Sequence, residues 1–304
     1  MSSTSPARRY MIGQHGFEAP PLSPGLYLTA TPIGNLGDIT LRALATLAAA
    51  DAILCEDTRN TGKLLERYGI RAPLRAYHDH NASKVRPALL EEMKAGKAFA
   101  LVSDAGTPLI NDPGYKLATE SVAQGIKVEM LPGASAPVMA LALSGLPSDR
   151  FLFAGFLPPK SAARRTRLTE LASVPATLIF FDTAPRIEST LTDIAAVLPG
   201  RTVAVARELT KLYEEVLRGS PENVIETITA RGGLKGEITL VIAPPPEDAG
   251  QLSPEEIDTR LLDAMKHTSL SQAAAEIAAT LGLPKRALYA RALALKETGD
   301  GEDA

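Results

Sequence analysis

From Gly25 onward, short apolar runs alternate with amphipathic segments, the pattern that strand–helix–strand units impose when both faces of a parallel sheet are covered. Residues 26–30, 52–56, 98–103 and 128–131 read as strands. Between them, 84–95 and 114–123 read as helices, ended by Gly96 and Gly125, because glycine readily takes the left-handed conformation that closes a helix. Residues 25–146 are therefore expected to form an open α/β domain. The string Gly145-Leu-Pro-Ser-Asp-Arg150 interrupts the pattern, and a second series of apolar runs follows at 151–156, 176–181, 202–206 and 238–243, with a helical stretch over 185–197. Tyr213-Glu-Glu-Val-Leu217 comes so soon after the third run that an antiparallel pairing is predicted, making 147–243 a second, mixed α/β domain.

Beyond a proline-rich linker at 244–253, only helical patterns remain. Ile257, Leu261, Leu262 and Met265 mark one apolar face; a second helix covers 271–281 with Ser269 or Ser271 as its cap; a turn at Gly282-Leu-Pro284 precedes a third helix from Lys285 to about Lys296. That spacing predicts a small all-α helix-turn-helix module over 254–298. At the other end, 1–24 contains Arg8, Arg9, Pro20, Pro21 and Pro24 but no apolar run of signal length, and is expected to be a flexible tail. No window approaches eighteen apolar residues, so a cytoplasmic protein without a membrane span is expected.

Composition sharpens this picture. With 304 residues, 45% of them apolar, the chain can bury two cores, and its single cysteine, Cys55, excludes an internal disulfide or a thiolate metal cluster. Cys55 itself reads as a small buried hydrophobe. Lys and Arg number 32 against 35 Asp and Glu, a net charge of -3 that by itself favours a small-molecule enzyme over a nucleic-acid binder. The average hides three basic stretches, however: 59–75, 160–167 and 266–296 each carry +4. In the second, Lys160, Arg164, Arg165 and Arg167 suit an RNA groove; in the third, Lys285 and Arg286 open the would-be recognition helix. His78 and His80 flank Asp79 but have too few neighbouring ligands for zinc, and no metal is expected.

The chemistry concentrates in loops that follow strands, where open α/β sheets bind ligands. Thr31-Pro-Ile-Gly-Asn-Leu-Gly-Asp-Ile-Thr40 offers glycines for close backbone approach, though in neither the dinucleotide nor the P-loop spacing. Ser103-Asp-Ala-Gly-Thr-Pro-Leu-Ile-Asn-Asp-Pro-Gly114 packs two carboxylates, two glycines and two prolines into one turn. Leu131-Pro-Gly-Ala-Ser-Ala-Pro137 brings small residues and a potential cap, Ser135, leaving amides for an anion. Three such loops on one edge would accept a ligand with a carboxylate, a positive group facing Asp104 or Asp112, and an adenosine.

These loops, together with Cys55-Glu-Asp-Thr-Arg59, Gly155-Phe-Leu-Pro158, Ala206-Arg-Glu-Leu-Thr-Lys211 and Lys235-Gly-Glu237, resemble the bacterial 16S rRNA cytidine-2′-O-methyltransferases of the tetrapyrrole methylase superfamily, in order from about residue 25 to 243. The helical module resembles that family's extra domain. The resemblance implies two α/β domains with an S-adenosylmethionine cleft between them, a homodimer, and methylation of a ribose in the decoding centre of the small ribosomal subunit, with no metal. Carried over by position, it implies cofactor contacts at Pro32 and Gly34, at Ser103, Asp104, Ala105, Gly106 and Thr107, and at Pro132, Gly133, Ala134 and Ser135; Asp112 is expected there for its charge, and Phe181 with the backbone around Ile238, Thr239 and Leu240 because strand ends of the second domain would close the cleft.

The ribose hydroxyl is a poor acid, so a base or a cation near the forming oxyanion is expected. Glu208 with Lys211 is the preferred pair, with Asp57 and Arg59 among the other possibilities. Two readings stay open beside RNA methylation: a tetrapyrrole or other small-molecule methyltransferase using the same cleft, and a metabolite-sensing helix-turn-helix regulator.

Overall fold

Two five-stranded sheets follow one another along the chain, and one helix of the first is buried on the face of the second. The computed structural model describes residues 8–246, 254–281 and 285–299. The chain opens with a hairpin of β1 (Arg9–Ile12) and β2 (His15–Glu18), antiparallel around Gly13 at φ +60°. Here the structure corrects the expected flexible tail. Tyr10 is buried against Leu44, Leu47 and Leu65 of the first core, the Met11 amide donates to the Tyr68 carbonyl at 2.7 Å, and Arg8 pairs with Asp51 at 2.9 Å while donating to the Ala49 carbonyl. Residues 1–7 of that segment lie outside the described residues.

The first sheet contains β3 (Gly25–Thr29), β4 (Ala52–Cys55), β5 (Leu74–Ala76), β6 (Ala98–Leu101) and β7 (Val128–Leu131), all parallel in the order β5-β4-β6-β3-β7. Strands β3, β4 and β6 are buried along their whole length, as their uninterrupted apolar sequences require. The short β5, with Arg75 exposed at its centre, escaped the hydrophobic pattern. Helices α1 (Leu41–Ala49), α2 (Thr58–Arg67), α3 (Asp79–Lys94) and α4 (Tyr115–Ala123) connect the strands. Thr40 caps α1 by accepting the Ala43 amide at 3.1 Å, and Asp57 caps α2 by accepting the Arg59 amide at 2.8 Å.

After β7, α5 (Ala136–Ser144) leaves the first sheet, and the left-handed Gly145 ends it. The second sheet is built from β8 (Phe151–Phe156), β9 (Thr177–Thr183), β10 (Val203–Arg207), β11 (Glu215–Gly219) and β12 (Glu237–Ile242), in the order β11-β10-β12-β9-β8. β10 pairs antiparallel with β11, as the spacing predicted, and only β8 and β9 run parallel. Helices α6 (Ser161–Leu171), α7 (Ile187–Val197) and α8 (Pro221–Ala230) cover one face through Leu168, Leu191, Ile194 and Ile228. The other face, Ile179, Ala204, Ala206 and Val241, receives Ala140 and Leu141 of α5. Arg218 fastens that helix by donating to the carbonyls of Leu143 and Ser144 at its end.

The last three helices are α9 (Pro254–Met265), α10 (Leu270–Leu281) and α11 (Lys285–Gly299), packed around Leu261, Ala274, Ala278, Leu288 and Ala292. Leu262 turns outward and is exposed, in contrast to the apolar face expected for it, whereas Ile257 and Met265 do join the core. The expected turn at Gly282-Leu-Pro284 and linker residues 247–253 lie outside the described residues. Among the described residues, no helix is long and apolar enough to cross a membrane.

The basic run on α6 is not the open patch its sequence suggests. Arg164, expected to reach RNA, is 2% exposed, and its guanidinium donates to the Asp193 carboxylate at 2.7 Å and to both oxygens of Ser189 at 3.2 Å. Helical spacing explains this, since Arg164 shares the inward face with Leu168 and Leu171 and so needs a buried carboxylate. Arg165 pairs with the same Asp193 at 2.6 Å and Arg167 with Glu170 at 2.9 Å, while Lys160 is exposed. Removing one partner of a buried pair strands the other, so Arg164→Ala is expected to destabilise the protein by about 3 kcal/mol, against less than about 0.5 kcal/mol for Lys160→Ala. Urea unfolding of the two variants measures the difference.

Candidate functional site

The carboxyl ends of β3, β6 and β7 carry the three loops singled out by sequence, and hydrogen bonds lock them into one surface. Thr31 and Gly106 exchange backbone bonds of 2.9 and 3.1 Å, the Thr31 hydroxyl donates to the Ser103 carbonyl at 3.2 Å, and the Thr107 hydroxyl donates to the Ala134 carbonyl at 3.2 Å. Two glycines are set by close approach. A Cβ on Gly133 would stand 2.7 Å from that of Ala30, and one on Gly106, at φ +81°, would stand 3.1 Å from Ile33. Ser135 occupies the cap position of α5 but makes no side-chain cap bond, so the first turn keeps its amides available to a ligand.

Facing this edge is the rim of the second sheet, and between them lies a cavity of about 390 Å³. The first sheet supplies Asp104, Ala105, Gly106, Thr107, Asp112 and Ser135, and the second supplies Phe181, Ile238 and Thr239, all of them residues expected from the sequence. Ile33, Ile110, Asn111, Phe156 and Glu237 also line it and were not singled out. The signal for Phe156 was present in Gly155-Phe-Leu-Pro158, and its ring packs on Phe181 at 5.5 Å. Asn111 is brought in by left-handed backbone, φ +65°, which no residue count foretells.

Not every expected cofactor residue reaches this cavity. Pro32, Gly34 and Ser103 line a separate cavity of about 170 Å³ that shares Asp104 with the larger one. Gly133 and Ala134 open instead toward a shallow hollow beside Thr210 and Glu214, and Pro132 is exposed. Leu240 is buried in the core of the second sheet beside Phe180, because alternation along β12 turns Thr239 toward the cleft and Leu240 away from it.

The pair expected to carry the chemistry is a clamp. Lys211 Nζ donates to Glu208 Oε1 and to Glu237 Oε2, both at 2.9 Å, and the Glu237 amide donates to Glu208 Oε1 at 2.9 Å. That backbone bond, with the Lys211 ammonium after it, holds the Glu208 carboxyl below the usual carboxylate range. A carboxylate so committed accepts a proton less readily than a free one, which weighs against Glu208 as the base. The clamp reaches the first domain, where a Cβ on Gly34 would meet the Lys211 side chain at 2.5 Å; within the second domain, a Cβ on Gly236 would meet the Glu208 carboxylate. Asp57 and Arg59 are likewise bound to one another, at 2.8 Å, and the hydrogen bonds from Arg59 bring Asp57 down to about 2.

Asp112 differs from these acids. Burial, reinforced by the negative charges of Glu56 and Asp104, pushes its carboxyl up to about 6. Such a group inside a cavity gains from a cationic ligand. The cavity is large enough for a nucleoside-sized molecule, apolar at Ile33, Phe156 and Phe181, and acidic at Asp104 and Asp112, which fits a cofactor with an aromatic base and positive charge. Among the described residues no cluster of three or more His, Cys, Asp or Glu could hold a metal ion. Cys55 is buried, and burial pushes its thiol up.

Comparison with known proteins agrees with this arrangement. Residues 25–224 match the family described as Tetrapyrrole (Corrin/Porphyrin) Methylases, and residues 251–296 match the RsmI C-terminal HTH domain. A Mesorhizobium japonicum protein named ribosomal RNA small subunit methyltransferase I is 50% identical over 96% of this chain and 99% of its own length. Among solved structures, diphthine synthase aligns with a TM-score of 0.56 at 18% identity, over 72% of this chain and 89% of that one. Uroporphyrin-III C-methyltransferase from Thermus thermophilus, complexed with S-adenosylhomocysteine, aligns at 0.50 and 18% identity over 72% and 97%. With residues 25–224 and 251–296 matched and half of the residues shared with that relative, the chain belongs to the tetrapyrrole methylase family, within the group of ribosomal RNA small subunit methyltransferase I proteins.

Proposed function

We propose that the protein transfers a methyl group from S-adenosylmethionine, held between the two sheets, to the 2′-hydroxyl of a cytidine ribose in the decoding centre of 16S rRNA. The observation that carries this reading is the cavity itself, in which residues 104–112 and 135–137 of the first sheet's loops meet Phe181 and Thr239 of the second. Support for the acceptor comes from the name of the 50% identical relative, and support for the donor from the fold neighbour complexed with the demethylated cofactor. A cytoplasmic site of action follows from the acceptor. The exposed Tyr115 and Val122, one face of α4, together with Met130 on the edge strand β7, supply an apolar surface for the homodimer that belongs to this reading.

When bound, the cofactor would supply a methyl group on a cationic sulfur for transfer to the ribose oxygen, whose proton would pass to water. The residues of this chain contribute orientation. Asp104 and Asp112 face the positive charge, the first turn of α5 offers amides to a carboxylate, and Phe156 with Phe181 wall the site against water. Holding two reactants in line can remove roughly 7 to 11 kcal/mol of the barrier, so a tight clamp at Lys211 matters even without proton transfer at Glu208. Lys160, Arg167, Lys285 and Arg286 are exposed cations for the RNA backbone, and Arg165 keeps about half of its side chain in solvent beside Asp193.

The direct test is incubation of the purified protein with labelled cofactor and small ribosomal subunits or their RNA. One 2′-O-methylcytidine in the decoding centre is expected, with a dimer mass by light scattering; label in a porphyrin substrate alone would overturn the reading. The charge on Asp112 gives a second expectation. A cationic cofactor selects the ionised carboxylate, so its Kd is expected to fall about tenfold between pH 5 and pH 7 as the group near 6 deprotonates. S-adenosylhomocysteine, without the sulfonium charge, should show a weaker dependence, and Asp112→Asn should flatten both; titration calorimetry reads all three. Finally, Glu208→Gln is expected to keep single-turnover methylation within about tenfold of wild type at saturating reactants while lowering thermal stability, whereas a loss of 10³-fold or more would restore Glu208 as the base.

A further inference from the structure

The basic stretch at 59–75 does not have the same fate as that on α6. Arg59 is tied to Asp57 and Arg75 to Glu92, but Lys63, Arg67 and Arg71 are exposed and make no ion pair among the described residues. Lys63 and Arg67 are one helical turn apart on the outward face of α2, and Arg71 follows just past its end, with Glu66 the single carboxylate of that helix. An exposed row of cations with no intramolecular partner is an anion-binding surface in search of a partner with repeated negative charge.

What gives this row a function is the small cavity beneath it. Its walls are mixed, with Pro32, Leu36 and Leu64 beside the polar Asn60, Thr61 and Ser103, and Lys63 stands at its lining. At about 170 Å³ it falls short of the 300 Å³ or so at which small-molecule pockets begin, yet it can admit a single phosphate or sugar. Asp104 belongs to both this cavity and the larger one, and it is fixed in position by the Asp57 amide at 3.3 Å and the Asn60 amide group at 3.2 Å. A group seated in the small cavity is thus separated from the methyl-donor cavity by one side chain.

We propose that the small cavity and the outer face of α2 form the subsite for the sugar-phosphate backbone around the acceptor nucleotide, with Lys63 on the nearest phosphate and Arg67 and Arg71 on its neighbours along the strand. The proposal rests on RNA being the acceptor. Tyr68 adds rigidity to it, since its hydroxyl donates to the Leu36 carbonyl and ties the end of α2 to the loop that carries Gly34. The α6 run, already neutralised by Asp193 and Glu170, is then a secondary contact.

The test compares Lys63→Ala/Arg67→Ala with Lys160→Ala/Arg167→Ala in the full-length protein, measuring small-subunit RNA binding over a salt series and steady-state methylation. Loss of two phosphate contacts should reduce the slope of log K against log salt by about 2 and raise the KM for RNA by about tenfold or more, with the Kd for S-adenosylmethionine unchanged as the control for folding. The charge-conserving exchange Lys63→Arg/Arg67→Lys should keep the wild-type slope. If the wild-type protein methylates RNA and the α2 double variant shares its slope and KM, the subsite is wrong. If the wild-type protein methylates no RNA, the proposed function falls, and the subsite falls with it.

Discussion

Everything at the candidate site depends on one apolar seam. Helix α5 follows directly from β7 of the first sheet, yet its Ala140 and Leu141 are buried against Ile179, Ala204, Ala206 and Val241 of the second. Small residues on both sides allow helix and sheet to approach closely, and Arg218 holds the end of the helix by its carbonyls. The start of α5 belongs to the cavity and its end to the seam. The two sheets therefore cannot shift relative to one another without moving the amides of the first turn, so packing and ligand geometry are a single constraint.

Around that seam the backbone is held in conformations that isolated chains avoid. Leu109, Asn111, Glu208 and Thr210 are, among the described residues, the four non-glycines with positive φ. Two sit in the loop after β6 and two in the loop opposite, between β10 and β11. Each such residue costs on the order of 1 kcal/mol or more, so surrounding bonds must over-determine it. At Glu208 those bonds are the Lys211 ammonium and the Glu237 amide, which makes the clamp the counterpart of the strain. The same clamp explains why the charges of the Ala206-Arg-Glu-Leu-Thr-Lys211 string look catalytic in sequence and prove committed in three dimensions.

Much of this was legible in the chain. Gly25–Thr29, Ala52–Cys55 and Ala98–Leu101 fall on the apolar runs, because buried strands need uninterrupted apolar residues. The loops bearing Asp104, Asp112 and Ser135 announced themselves by their density of glycine, proline and acid. Three features were not legible, each because it is settled by a distant partner. Arg164 reads as a surface cation until Asp193, 29 residues later, buries it. The N-terminal hairpin is polar enough to pass for a tail, and its anchors, Asp51 and the Tyr68 carbonyl, belong to the first domain. Leu240 and Thr239 are adjacent in sequence, and only the pleat of β12 decides which of them faces the cleft.

The net charge of -3 likewise misleads, because partnering matters more than totals: the cations of α6 are largely cancelled, and Lys63 and Arg67 of α2 are not. Whether the methyl donor occupies the cavity joining the two sheets is decided by a crystal structure with S-adenosylhomocysteine. The ligand is expected between Thr107 and Ser135 on one side and Phe181 and Thr239 on the other, with Asp112 facing its sulfur. A ligand seated in the small cavity beside Asn60, or elsewhere on the molecule, would contradict that placement.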